Sequence, residues 1–253
     1  MTNWRFFSIK TLEILRGYKT HKRLIIKPIV KRFLFKKHSN TEGVKKICKQ
    51  KSLNAVLHYK YISKMYEQLR KYITDRIKTD EETLNLIFSK FKPLNVKRNT
   101  FLLKEGDVCK HYYFVNKGCI RLMNITDTGQ ENTRYIAFEG SFGTALPSLI
   151  DQKPAFEFIQ AIENAEILAI NREDFYDLVD NTPAFGFIYR QILEFAFITA
   201  QKRIYGFQGL EAIDKVRWLL NYQPFILTRL SNKIVASYLG ITPETLSRLK
   251  TQL

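Results

Sequence analysis

The stretch Ser231–Lys250, SNKIVASYLGITPETLSRLK, decides how this chain is read. On a helical wheel Val235 and Leu239 fall one turn apart on one face, with small Ala236 beside them. Gly240 tolerates a positive φ, which suits the end of a first helix. Ile241 can plug the corner. Thr242 is a good N-cap, and Pro243 follows at the first helical position, where its missing N–H costs nothing. Leu246 and Leu249 give a second helix an apolar edge. Two short helices, a glycine turn and a small residue at the crossing predict a helix-turn-helix, whose second helix enters the DNA major groove. Two ordinary core helices are the plainer alternative; small or apolar residues at every position the motif needs favour the motif.

Working outward, the chain has 253 residues, enough for two compact domains. Hydrophobic residues make up 45% and charged residues 26%, the balance of a globular protein. Cys48, Cys109 and Cys119 show no close pair and no zinc spacing, which fits a reducing compartment and no metal. The apolar run over 184–200 is broken by Arg190 and Glu194 and does not read as membrane-spanning. The net charge of +17 is unevenly placed. Residues 1–64 hold 17 Lys and Arg against Glu13 and Glu42, and the rest of the chain is close to neutral. The basic excess therefore says little about the helix-turn-helix. Residues 1–64 read as a basic arm adding phosphate contacts, as a membrane-surface or targeting segment, or as lying outside the working protein, with Met65 as its start.

From Met65 the pattern is orderly. Met65, Leu69, Tyr72, Ile73 and Ile77 fall at helical spacing. Thr79-Asp80-Glu81-Glu82 predicts a capping box that opens a helix through Leu84, Ile87 and Phe88, with Pro93 ending it. Short strands punctuated by glycine turns are expected over 100–103, 112–115, 119–125, 133–138, 156–162 and 166–170, as in a barrel or sandwich. Helix resumes at Asn171, capped by Asn171 toward Asp174. A long helix follows Pro183, on which Ile188, Ile192, Phe195 and Thr199 step like a coiled-coil seam. That seam can pack on the β domain or on a twin helix, and paired half-sites favour the twin. A shorter helix spans 212–220. The fold class is α+β: residues 65–182 form a β domain with flanking helices, 183–209 a dimerisation helix and 210–253 the DNA-binding unit.

This order of parts resembles the Crp/Fnr family of bacterial transcription regulators. FLLKEGD (101–107) and YFVNKGCIRL (113–122) resemble its first β-roll hairpins, and EGSFG (139–143) the glycine corner before its phosphate-binding cassette. AQKRI (200–204) resembles the end of its dimer helix, and ASYLGITPETLSR (236–248) its DNA-reading unit. The resemblance implies a cupin-like, cyclic-nucleotide-binding-like β-roll and a winged-helix-type helix-turn-helix. It implies a cytoplasmic homodimer on double-stranded DNA, with RNA polymerase as a further partner and no membrane. By resemblance the reading positions fall on Pro243, Glu244, Ser247 and Arg248. Arg can bond guanine O6 and N7, and Glu can accept from cytosine N4. Lys233, Thr242, Thr245 and Lys250 are phosphate-contact candidates, with solvated surface the equal alternative.

The departures concern the effector. Gly140, Phe142, Gly143, Thr144 and Lys153 are the pocket candidates. Thr144 stands where cyclic-AMP-binding relatives place a Glu, and Lys153-Pro154-Ala155-Phe156 covers the place of their Arg pair. Three scattered cysteines cannot hold the iron–sulfur cluster of oxygen-sensing relatives. Cys109 and His111 read as a chance pair on an exposed turn. No catalytic motif is present, so an enzyme is not expected, nor any cofactor. The alternative to a DNA-reading regulator is a ligand-sensing or protein-interaction module with a degenerate DNA unit.

Overall fold

A computed structural model describes residues 66–252. The expectations for the basic segment and for Met65 lie outside the described residues. After helical residues 66–74, the order is α1 (Glu81–Lys90), β1 (Lys92–Val96), β2 (Phe101–Leu103), β3 (His111–Lys117), β4 (Ile120–Ile125), β5 (Glu131–Ala137) and β6 (Phe142–Gly143). Then come α2 (Leu146–Asp151), β7 (Phe158–Ala161), β8 (Ala165–Asn171), α3 (Arg172–Asn181) and α4 (Pro183–Gly209). The chain closes with α5 (Ala212–Tyr222), α6 (Ile226–Arg229), α7 (Asn232–Leu239) and α8 (Pro243–Lys250).

The strands form two antiparallel four-stranded sheets, ordered β1-β8-β3-β6 and β2-β7-β4-β5. The central strands are buried on both faces, in runs rather than by alternation, so Phe114, Ile120, Leu122, Ile159, Ile167 and Leu168 are all buried in one core. Helices close this core at one end through Leu69, Ile73, Leu84, Ile87, Phe175 and Phe185. Each such side chain contributes about 1.5–3 kcal/mol by leaving water.

Several local expectations shift. The N-cap of α1 is Asp80 rather than Thr79; its carboxylate accepts from the Thr83 N–H at 2.7 Å. Pro93 does not end that helix, which stops at Lys90, but lies in β1. An edge strand tolerates proline because one row of its N–H groups is unpaired. β1, the two-residue β6 and α2 were not expected. Asn171 caps α3 as read, accepting from the Asp174 N–H and donating to its carboxylate. Ile188 does not belong to a seam facing outward: it is fully buried in the chain's own β-domain core. Cys109 is likewise buried rather than on an exposed turn, its N–H bound by the Ser148 hydroxyl. No strand accompanies α5–α8 among the described residues, so the wing of a winged-helix unit is not seen there. No helix among them is long and apolar enough to cross a membrane.

Candidate nucleic-acid interface

The helix-turn-helix forms from local chemistry. Ser231 caps α7 by accepting from the Ile234 N–H, and Gly240 ends it in the left-handed region at φ 67°. That turn sends the Ile241 N–H back to the Ala236 carbonyl at 3.1 Å. Thr242 then caps α8 through the Thr245 N–H, with Pro243 just inside. Leu246 and Leu249 pack inward with Val235, Ala236 and Leu239, and Ala236 leaves room where the helices cross.

The opposite face of α8 is free. Thr242, Pro243, Glu244, Ser247 and Arg248 are exposed, and Glu244 and Arg248 form no ion pair among the described residues. Of the four phosphate-contact candidates, Thr242 is the cap, and Thr245 is half-buried and accepts from its hydroxyl. Lys250 donates to the Asn232 amide oxygen at 3.1 Å. Lys233 points elsewhere: its ammonium holds the Glu131 carboxylate of β5 at 2.6 Å.

That ion pair belongs to a broad attachment which the sequence reading missed. Ile136, Phe138 and Ile162, outside the β-domain core, bury with Val216, Leu219, Ile226 and Leu230. Phe225 meets Phe138 edge-on, with ring centres 5.0 Å apart. Arg229 of α6 makes bidentate bonds to Glu139 (2.7 and 2.7 Å) and to Glu163 (2.8 and 2.7 Å). Thr133 of β5 and Ser237 of α7 share a hydroxyl hydrogen bond of 2.6 Å. Arg203, near the end of α4, donates to the carbonyls of Thr133 (2.8 Å), Tyr238 (2.9 Å) and Arg134, between the rings of Phe207 and Tyr238. Arg203 thereby joins the long helix, β5 and α7, and burial lowers its pKa.

Two of the carboxylates at this junction, Glu131 and Glu139, carry a pH dependence. Burial alone would raise the Glu139 pKa. Hydrogen bonds from Arg229 and from backbone N–H groups, including Gly118, outweigh burial and place it below the ordinary 4.5. Glu131 is lowered in the same way, burial being outweighed by Lys233 and Arg121. A depressed folded pKa gives stabilisation that is complete above the unfolded value and is lost as pH falls through the folded one. Thermal unfolding of the full chain is therefore expected to steepen in its pH dependence below about pH 4.5. Glu139→Gln is expected to flatten that limb; an unchanged slope would remove Glu139 from the account.

The effector-pocket candidates differ in burial, Phe142, Gly143 and Thr144 being buried and Lys153 exposed. Phe142 is buried in the aromatic core against Tyr72, Phe91, Tyr112 and Phe114, with ring centres 5.0–6.5 Å apart. Gly143 is buried, with Ile120 3.1 Å from where a Cβ would stand. The buried Thr144 hydroxyl donates to the His111 carbonyl at 2.9 Å and touches the Cys109 sulfur at 3.4 Å. Gly140 makes the corner at φ 75°, and Lys153 is exposed. Arg134 is held by the buried Glu157 carboxylate through two bonds of 2.9 and 3.0 Å. His111 is half-buried; burial, Lys92 and Lys110 all lower its pKa. No cluster of metal-ligating side chains occurs among the described residues.

Residues 93–182 match the family of cyclic nucleotide-binding domains. No curated protein matches the chain. Among solved structures, it is similar to the c-di-GMP-responsive global regulator CLP of Xanthomonas campestris. That match has 16% identity, 68% of this chain, 91% of that one and a TM-score of 0.57. FixK2 of Bradyrhizobium japonicum matches at 16% identity, over 64% and 84% of the two chains, TM-score 0.57. A Crp/Fnr family transcriptional regulator of Eubacterium rectale matches at 16% identity, over 68% and 82%, TM-score 0.53. Residues 93–182 thus resemble a cyclic nucleotide-binding domain, and the described residues share the α+β fold of solved Crp/Fnr transcriptional regulators.

Proposed function

We propose that the protein is a homodimeric, sequence-specific DNA-binding regulator of transcription, acting in the cytoplasm, that reads a palindromic site with α8. The observation that carries this reading is the free face of α8: Glu244, Ser247 and Arg248 are presented to solvent by a helix capped at both ends and anchored on its other side. Its role is binding rather than catalysis. Arg248 bonds a guanine edge, Glu244 accepts from a neighbouring cytosine, and Thr242, Thr245 and Lys250 lie where phosphates pass. Lys233, engaged by Glu131, is left out of the phosphate set.

The second copy docks along α4. With Ile188 taken into the core, the outward surface starts beyond Ile192, where Phe195 (55%), Phe197 (63%) and Tyr205 (75%) are exposed together with Ile198 and Ile204. Thr199 is half-buried on the same helix. A helix of 27 residues runs about 40 Å, and so long a row of exposed apolar side chains marks an interface. Phe195→Asp with Ile198→Asp is expected to convert the dimer to a monomer in sedimentation at micromolar concentration and to abolish operator binding. A dimer that survives both changes would place the interface elsewhere.

The effector differs from cyclic AMP held by the usual contacts. Thr144 spends its hydroxyl on the His111 carbonyl, Phe142 fills the core, and Arg134 is already neutralised by Glu157. Calorimetry with cyclic AMP is expected to show no saturable heat. Micromolar binding abolished by Lys153→Ala would overturn this part of the reading.

A further inference from the structure

We infer that Arg203 and Arg229 are positioning residues that fix the helix-turn-helix at one angle to the β domain and so set the half-site spacing the dimer accepts. This rests on the proposal that α8 reads DNA.

The two residues attach at separate points of the unit, Arg229 through α6 and Arg203 through the end of α7. Arg229 grips from α6, at the entry to the motif, where Glu139 and Glu163 present four carboxylate oxygens to one guanidinium. Arg203 grips from α4 and takes the Tyr238 carbonyl in the last turn of α7 together with two carbonyls of β5. Two grips at separate points leave a rigid body only rotation about the line joining them, which the Lys233–Glu131 and Thr133–Ser237 contacts oppose. The apolar contact of Phe138, Ile136 and Ile162 between them holds the surfaces together but gives little directional preference. The arginines supply seven of the directional bonds, beside the Lys233–Glu131 ion pair and the Thr133–Ser237 hydroxyl bond.

The docked unit also keeps its reading face open. Glu244, Ser247 and Arg248 are exposed while both arginines are engaged, so the attachment presents α8 rather than covering it. A dimer that places two such helices rigidly accepts one separation. Moving a half-site by one base pair also turns it by about 34°, because half-sites recur every 10–10.5 base pairs. A rigid unit rejects that rotation, and a loosened one follows it. Glu139 opens the EGSFG corner and its carboxylate also accepts from the Gly118 N–H, so Arg229 ties the reading helix to that corner of the β domain.

The experiment uses the full chain and a library of inverted repeats in which the spacer is randomised in length. The wild type is expected to enrich one spacing, with neighbours at least about tenfold weaker. Arg203→Ala with Arg229→Gln is expected to bring neighbouring spacings to within about threefold while leaving the half-site sequence unchanged. One spacing with the same half-site in both proteins would overturn the inference, as would tighter binding at unchanged spacing, which would mean that the attachment restrains the unit. Arg229→Gln alone serves if the double variant does not fold. A DNA-free readout separates this idea from base reading: spin labels at Asp127→Cys and Asn221→Cys, with Cys48→Ser, in chains diluted with excess unlabelled chain so that only the distance within one protomer is read, are expected to give one narrow distance distribution that broadens in the variants. A distribution unchanged by the variants overturns the positioning role even if no operator is found. No enriched repeat with a broadened distribution overturns the base-reading proposal and, with it, the spacing claim.

Discussion

Arg248→Ala is expected to weaken binding to the preferred operator by about 2–6 kcal/mol, because each of two subunits loses a contact worth about 1–3 kcal/mol. The side chain is exposed and makes no ion pair among the described residues, so its removal breaks no such contact there. Melting temperature is therefore expected to stay within about a degree or two, as for other surface changes. The loss should be selective. Preference at one guanine per half-site relaxes, and binding to random DNA, which depends on phosphate contacts, changes little. Titration of labelled operator and scrambled duplex at one salt concentration checks both. Equal losses on the two duplexes would make Arg248 a phosphate contact.

Gly118→Val is expected to be the most damaging single change to the fold, at about 3–5 kcal/mol. Gly118 sits at φ +87°, where a β-branched residue is strained. A Cβ there would also stand 2.6 Å from the Asn164 carbonyl oxygen and 2.9 Å from the Ala165 Cα, backbone atoms that cannot turn aside. Gly129 separates the two causes. It has φ +80° but nothing within 4 Å, so Gly129→Val meets the strain without the collision and should cost much less. Thermal melts of the two variants give the comparison. Similar losses would show that conformation rather than crowding decides the cost at Gly118. Its N–H also bonds Glu139, so distortion there should reach the Arg229 attachment.

What could be read from the residues alone was local. The Thr242 cap of α8, the glycine turn that ends α7 and the apolar positions behind them depend on neighbours within a few residues, and they formed as expected. The strands around glycine turns were legible for the same reason. Proline 93 misled because its ring suits a helix end and an edge strand equally. The pair Phe142–Gly143 is too short for any period. Ile188 shows a different limit: a spacing of three and four says that a helix buries a stripe, not whether its own core or a second copy covers it. Cys109 looked exposed beside Lys110 and the Gly106-Asp107 turn, yet β-domain packing buries it. The attachment of the DNA-binding unit was invisible, since Arg229 meets Glu139 across 90 positions and Arg203 meets Thr133 across 70. No local pattern signals such pairs.

The measurement that bears most directly on the central claim is selection of the full chain against a random DNA library, run beside Arg248→Ala. A wild-type pool converging on an inverted repeat with a G·C pair in each half, and an Arg248→Ala pool that loses preference at that pair, is the predicted result. A wild-type pool that stays random, or a repeat enriched equally by both proteins, would contradict base reading by α8.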